Sequence, residues 1–225
     1  MNLLSKKKSK NKMSDIKECG YLEIYFGPMW SGKSTKLAVK IAEYADLGMR
    51  CLLVNHSKDE RKDSSDIFDD GKFSQHGTSN FHLSSNIHKI KTDNLSIIDI
   101  SKYDVIAVDE CQFFGDDLLT EIPRWVNKEH KIVICAGLDG DIKCNIFGKI
   151  LFLIPFANKA KKLQAQCTVC LKELQKSQFK GIGSISANAP FSARLVESSS
   201  QVLIGGTESY TVMCRYHHQQ YLNSL

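Results

Sequence analysis

The chain has 225 residues, 42% of them apolar, enough for one sizeable domain or a domain with a small added module. No window approaches the ~18 to 20 consecutive apolar residues of a membrane span, and Leu3 and Leu4 begin no apolar run of signal-peptide length, so neither insertion nor export is expected. The net charge of +5 sits in one place: once Lys6, Lys7, Lys8, Lys10 and Lys12 are set aside, the remaining 25 basic residues meet 25 acidic ones. A neutral body argues against an electrostatic nucleic-acid surface on the folded part. Eight cysteines in a chain with no route to an oxidising compartment read as reduced thiols or metal ligands, and the cytoplasm is the expected location.

Residues 1–18 form a lysine-rich segment, read as a solvated disordered tail rather than a localisation signal or a nucleic-acid arm. Leu22 to Phe26 then alternates like a strand. It leads into Gly27-Pro28-Met29-Trp30-Ser31-Gly32-Lys33-Ser34, which satisfies GxxxxGK[ST] at every fixed position. In that loop, backbone N–H groups curl round a β-phosphate, Lys33 reaches the β/γ oxygens, and the Ser34 hydroxyl holds Mg²⁺. Leu37, Ala38, Ile41, Ala42 and Ala45 follow at helical spacing, with Gly48 as the stop. The order strand, glycine loop, helix puts a helix N-terminus at the phosphates.

Cys51 to Asn55 reads as a second buried strand, and strand, helix and strand demand a parallel sheet with both faces covered. From His56 to about Asn94 the sequence is polar and reads as an irregular excursion, within which Asp59 and Arg61 lie just past the second strand on the phosphate-loop side. Val105-Ile106-Ala107-Val108 is a strand ending in Asp109 and Glu110. Asp109 suits the metal side of a nucleotide site. Glu110, turned the opposite way by the two-residue period, is the candidate general base. The residues leave open whether it serves water or a substrate hydroxyl.

Helical spacing runs from Phe113 to Lys128, with Pro123 requiring a kink or a late start. Lys131 to Ala136 is the next buried strand, and Gly137-Leu138-Asp139-Gly140 turns out of it. The apolar segment from Phe147 to Phe156 suits core packing or the wall of a flat base.

Cys167-x-x-Cys170 and Cys214-x-x-His217 are two pairs able to clamp a tetrahedral Zn²⁺, with His218 as an alternative to His217. Four such ligands leave no open position, so the metal is expected to be structural. The Ser- and Gly-rich residues between the pairs could not bury a core alone, and a metal supplies the missing folding energy. Val202-Leu203-Ile204-Gly205-Gly206 suits close approach of backbone to a ligand. The expected organisation is a tail over 1–18, a P-loop NTPase-like α/β domain over 19–163 with helices flanking a parallel sheet, and a zinc-binding module over 164–222.

Together, Gly27 to Thr35, Lys58 to Arg61, Asp109-Glu-Cys-Gln-Phe-Phe114, Leu138-Asp-Gly140, the Cys pairs and Gly205 to Arg215 closely resemble the type II, cytosolic-type thymidine kinases, in collinear order from about Gly20 to Leu222. The resemblance implies phosphoryl transfer from ATP to the 5′-hydroxyl of thymidine, with Glu110 as base. It assigns residues 27–34, Asp59 to Arg61, Asp109 and Gln112 to the ATP and Mg²⁺ side. It also implies a lasso over thymine, with Gln201, Val202, Leu203, Ile204 and Gly205 reading the base and Met29, Phe113, Leu138, Ile142, Phe147 and Tyr210 enclosing it. A homotetramer and feedback inhibition by dTTP come with the same resemblance. The chain departs from the family at Cys111, where glycine is usual, and at Ile142, where Phe is frequent. Rival readings are a nucleic-acid-stimulated ATPase and a nucleotide-binding pseudoenzyme; intact Lys33, Ser34, Asp109 and Glu110 argue against the latter.

Overall fold

The computed structural model describes residues 19–58, 72–75, 79–82, 86–176, 187–196 and 209–225. Its centre is a six-stranded sheet in which every neighbouring pair is parallel. In chain order the first elements are β1 (Tyr21–Phe26), α1 (Lys33–Asp46) and β2 (Cys51–His56), followed by a hairpin of β3 (Lys72–Gln75) and β4 (Ser79–His82). Then come β5 (Ile87–Thr92), β6 (Val105–Val108), α2 (Asp117–Asn127), β7 (Ile132–Gly137) and β8 (Lys159–Lys162). The order across the sheet is β5-β2-β6-β7-β1-β8.

The two-residue period sorts the central strands onto two apolar faces. Leu22, Ile24, Leu52, Val54, Ile106, Val108, Val133 and Cys135 face one way, against Leu118, Ile122 and Trp125 of α2. Tyr25, Leu53, Val105, Ala107, Ile134 and Ala136 face the other, against Leu37, Ala38, Ile41 and Ala45 of α1. α1 ends as its spacing predicts: Gly48 takes φ +82° and its N–H donates to the Ala45 carbonyl at 2.9 Å, the left-handed stop that glycine tolerates best.

Three expectations need correction. The stretch from His56 to Asn94 is not wholly irregular, because β5 completes that edge of the sheet beside β2. The helix after the acidic motif does not start at Phe113. A 3-10 turn covers Cys111–Phe113 and α2 begins at Asp117, with Pro123 inside it. Glu110 also lies beyond the strand, in a left-handed conformation (φ 52°, ψ 41°), so strand alternation does not set its direction.

The remaining elements are short: β9 (Ala165–Gln166), α3 (Thr168–Lys176), β10 (Asn188–Ala189), β11 (Phe191–Arg194), β12 (Tyr210–Met213) and α4 (Arg215–Asn223). They form two small antiparallel sheets, β9 with β10 and β11 with β12. Among the described residues, their central apolar cluster is built from Ala165, Cys167, Ala189 and Val212, small side chains that bury little surface.

Candidate active site

The register of the sheet brings the catalytic candidates together. Phe26 at the end of β1 pairs with Gly137 at the end of β7, while Val108 of β6 pairs with both Cys135 and Val54. The phosphate loop, the acidic pair and the turn after β7 therefore leave the same carboxyl edge, where open α/β sheets bind their ligands.

Gly27 has φ +148°, and a Cβ there would stand 2.4 Å from the Leu163 carbonyl oxygen; the loop passes too close to the end of β8 for any side chain. Gly32, at φ +79°, enters α1. The helix start has no side-chain cap and no acid in its first turn, so its first N–H groups and the positive end of its dipole face the loop interior. The Ser31 hydroxyl donates to the Pro28 carbonyl at 2.9 Å, and Lys33 Nζ donates to the same oxygen at 2.6 Å. This buried ammonium closes the loop on itself. Ser34 follows in the first turn of α1, and Trp30 is exposed at its apex with φ 53°.

Asp109, Glu110 and Gln112 are all buried, at 4, 6 and 4% exposure. Asp109 Oδ1 accepts the Glu110 N–H at 2.8 Å, and the Asp109 N–H donates to Val54 at 2.9 Å, tying the acid to β2. Gln112 Nε2 donates to Glu110 Oε2, and its Oε1 accepts the Leu138 N–H at 2.9 Å. Gln112 thus joins Glu110 to the β7 turn, a connection that motif spacing did not reveal. The neighbouring Cys111 thiol is buried, which together with Cys135 raises it well above the ordinary thiol range; it stays protonated and unreactive.

Phe113, Leu138 and Phe147 are half-buried around this edge, and the rings of Phe113 and Phe147 meet edge to face at 6.0 Å. His56 is a participant that the sequence reading missed. Its ring packs on Phe113 and Phe114 at 5.6 and 4.6 Å, and Nδ1 accepts the Lys58 N–H at 3.0 Å. It fixes the direction in which the chain leaves β2. The available signal was a polar residue closing an apolar strand. Asp59, Arg61, Gln201, Val202, Leu203, Ile204 and Gly205 lie outside the described residues.

The two cysteine pairs, distant in sequence, converge. One ligand atom from each of Cys167, Cys170, Cys214 and His217 falls within 4.8 Å of all the others. His217 Nδ1 lies 3.5, 3.4 and 3.3 Å from the Cys167, Cys170 and Cys214 sulfurs, while its Nε2 is 3.5 Å from Glu173 Oε1, the carboxylate-histidine pairing common at zinc. Three sulfurs and one imidazole nitrogen suit tetrahedral Zn²⁺. Burial pushes the Cys167 thiol up, yet hydrogen bonds from the Cys170 and Cys214 backbone and from His217 outweigh it and bring it to about 7. Burial and the neighbouring thiols push Cys170 up to about 12.

His218 has a different task. It is buried, stacks on Phe191 at 4.7 Å, and its Nε2 meets the Ile142 carbonyl at 3.0 Å. Ser192 Oγ accepts the Met29 N–H at 3.0 Å, and the Met29 side chain packs on the small C-terminal core. The C-terminal unit is therefore fastened to the phosphate loop and to the turn after β7. Tyr210 is buried within it, bonded to Arg194, whose guanidinium lies over the ring at 5.5 Å. No helix among the described residues is long and apolar enough to cross a membrane.

The family model for thymidine kinase matches residues 20–218. The chain is 34% identical over 197 residues to the thymidine kinase of Amsacta moorei entomopoxvirus, covering 86% of this chain and 95% of that one. It is 32% identical over 195 residues to the thymidine kinase of Choristoneura fumiferana entomopoxvirus, covering 86% and 94%. Thymidine kinase 1 of Dictyostelium discoideum is 33% identical over 198 residues, covering 87% and 76%.

Proposed function

The chain belongs to the thymidine kinase family, and from that premise we propose how its residues transfer the γ-phosphoryl of ATP to the 5′-hydroxyl of thymidine, giving dTMP and ADP. The reading rests on one observation: the phosphate loop and the Glu110-Gln112-Leu138 chain of hydrogen bonds leave one edge of the parallel sheet.

The triphosphate lies along residues 27–34, its charge met by N–H groups at the start of α1 and by Lys33 turning from Pro28 to the β/γ oxygens. Ser34 and Asp109 would hold the Mg²⁺ that accompanies ATP, which would supply charge neutralisation for phosphoryl transfer. Asp59 and Arg61 complete the ATP side by resemblance alone. Glu110 accepts the 5′-hydroxyl proton as that oxygen forms its bond to the γ-phosphorus and the bond to the ADP oxygen breaks.

Phe113, Leu138, Ile142, Phe147, Met29 and Tyr210 enclose the thymine, with backbone groups of 201–205 above it. A slot that hydrogen-bonds its base rejects bases lacking the partner atoms. Zn²⁺ on Cys167, Cys170, Cys214 and His217 has a structural task. The working division is a tail over 1–18, a kinase domain over 19–163 and a zinc-binding lasso over 164–222. The family resemblance supports a cytoplasmic homotetramer inhibited by dTTP.

Incubation of the pure protein with Mg·ATP and a panel of nucleosides tests this reading. Thymidine should yield dTMP with one ADP per nucleotide formed. A purine nucleoside as preferred acceptor, or ATP hydrolysis stimulated by DNA and lost in high salt, would contradict it.

A further inference from the structure

Gln112 occupies an unusual position for a residue assigned to the nucleotide side. Its amide has one donor committed to Glu110 Oε2 and its oxygen committed to the Leu138 N–H at 2.9 Å. The orientation is fixed by chemistry: a backbone N–H only donates, and an ionised carboxylate only accepts, so the amide cannot be flipped without losing both bonds. The surroundings leave it no freedom. A Cβ on Gly137 would stand 2.8 Å from Gln112 Oε1, and one on Gly148 would stand 2.2 Å from the Gln112 carbonyl oxygen. Gly137, closing β7, lets the chain press against the amide, and Gly148, in the loop after it, lets the chain press against the Gln112 backbone.

We propose that Gln112 is a positioning residue that holds Glu110 for proton abstraction and ties its orientation to the turn that walls the nucleoside pocket. The amide holds the carboxylate by Oε2. It also stops the left-handed Glu110 backbone, at φ 52°, from letting the carboxylate swing. Because the same amide accepts from Leu138, displacement of the β7 turn displaces the base. The amide dipole transmits this in one step, its oxygen end polarised by Leu138 and its nitrogen end on the carboxylate. The proposal rests on Glu110 being the base.

The test uses the full chain carrying Gln112→Met or Gln112→Glu, with Glu110→Gln as the control for the underlying reading. In Gln112→Met both bonds go; kcat should fall ~10- to 100-fold, as expected when a reacting group loses its orientation, while KM for ATP changes less than ~3-fold by that reasoning. Gln112→Glu can still accept from Leu138 but sets a second carboxylate against the first. A like charge disfavours the ionised form, so the acid limb of the kcat profile should move up by about one pH unit or more. Among the described residues, the other ionisable groups at this edge, Asp109, His56, Lys33 and the Asp139–Lys162 pair at 2.7 Å, together with the Cys111 and Cys135 thiols beneath, are retained in both variants.

A folded Gln112→Met with wild-type kcat, or a Gln112→Glu profile whose acid limb stays in place, would overturn the proposal. Loss of fold in both variants would make the amide a structural brace and overturn it as well. Turnover persisting in Glu110→Gln would instead remove the base assignment itself, a separate failure read from a separate protein.

Discussion

The sheet and the C-terminal unit touch at Met29 and Ile142 but hold themselves together by different means. In the sheet, four central strands are covered on both faces by α1 and α2, and the interior includes Leu22, Ile24, Leu52, Leu53, Ile106, Val133 and Trp125 at 0% exposure. At ~25 cal/mol per Å² of apolar surface, such burial is ample to order its loops. Among the described residues, the central cluster of the C-terminal unit is Ala165, Cys167, Ala189 and Val212, Cys167 being also a potential metal ligand. The unit has four potential metal ligands within 4.8 Å. On the proposed reading, phosphate binding thus sits on a scaffold that burial stabilises, and the nucleoside cover on one that a metal would stabilise. The two scaffolds meet at the Met29 N–H, which donates to Ser192 Oγ.

The strongest way to break this comparison is to remove the metal. Chelation should unfold the C-terminal unit, because zinc contributes on the order of 10 kcal/mol to small modules of this kind. Calorimetry should then find thymidine binding lost and ATP binding retained, with elemental analysis of the untreated protein giving one zinc per chain. Simultaneous loss of both ligands would erase the distinction between the regions. Leu53→Ala probes the other side: it empties a fully buried position beneath α1 and should cost about 2 to 5 kcal/mol. Denaturant unfolding of the sheet should report that loss while zinc content stays at one.

A smaller change addresses the joint between the regions. Ser192→Ala deletes the acceptor of the Met29 N–H and should cost about 1 to 2 kcal/mol, appearing as a weaker coupling between ATP and thymidine binding in the calorimeter. The smallest effect concerns acid. Glu23 is buried, and its desolvation is outweighed by hydrogen bonds from Lys159 and Tyr25, so its carboxyl lies below the ordinary 4.5. A depressed folded value contributes stability above the unfolded value that is lost as pH falls through the folded one. Glu23→Gln should therefore flatten the stability profile below about pH 4.5 while leaving zinc affinity alone; an unchanged acid limb would take Glu23 out of the account.

Much of this was readable in the chain. β1, α1, β2, β6 and β7 carry apolar runs or helical spacing that only a covered parallel sheet satisfies, and the phosphate loop and cysteine pairs announce their chemistry by spacing. The two edge strands were not visible for a shared reason. β5, Ile-His-Lys-Ile-Lys-Thr, has no fully buried residue and β8, Lys-Ala-Lys-Lys, is exposed throughout, and backbone pairing rather than burial defines them. Pro123 left a kink and a late start of α2 as alternatives, and the starting residue was obscured because Phe113 and Phe114 fit a helical period while packing on His56. Spacing left His217 and His218 as alternatives; the structure separates them by what each ring nitrogen meets. The role of Gln112 depends on where an amide points, which no spacing encodes.

The account stands most directly on Glu110. dTMP formation by the wild-type chain and by Glu110→Gln, measured under saturating thymidine and Mg·ATP with both affinities determined on the same samples, puts it to the test. Near-equal affinities with turnover reduced about 10²- to 10⁴-fold, the usual contribution of a positioned acid or base, are the predicted result. Turnover within a few-fold of wild type would contradict it.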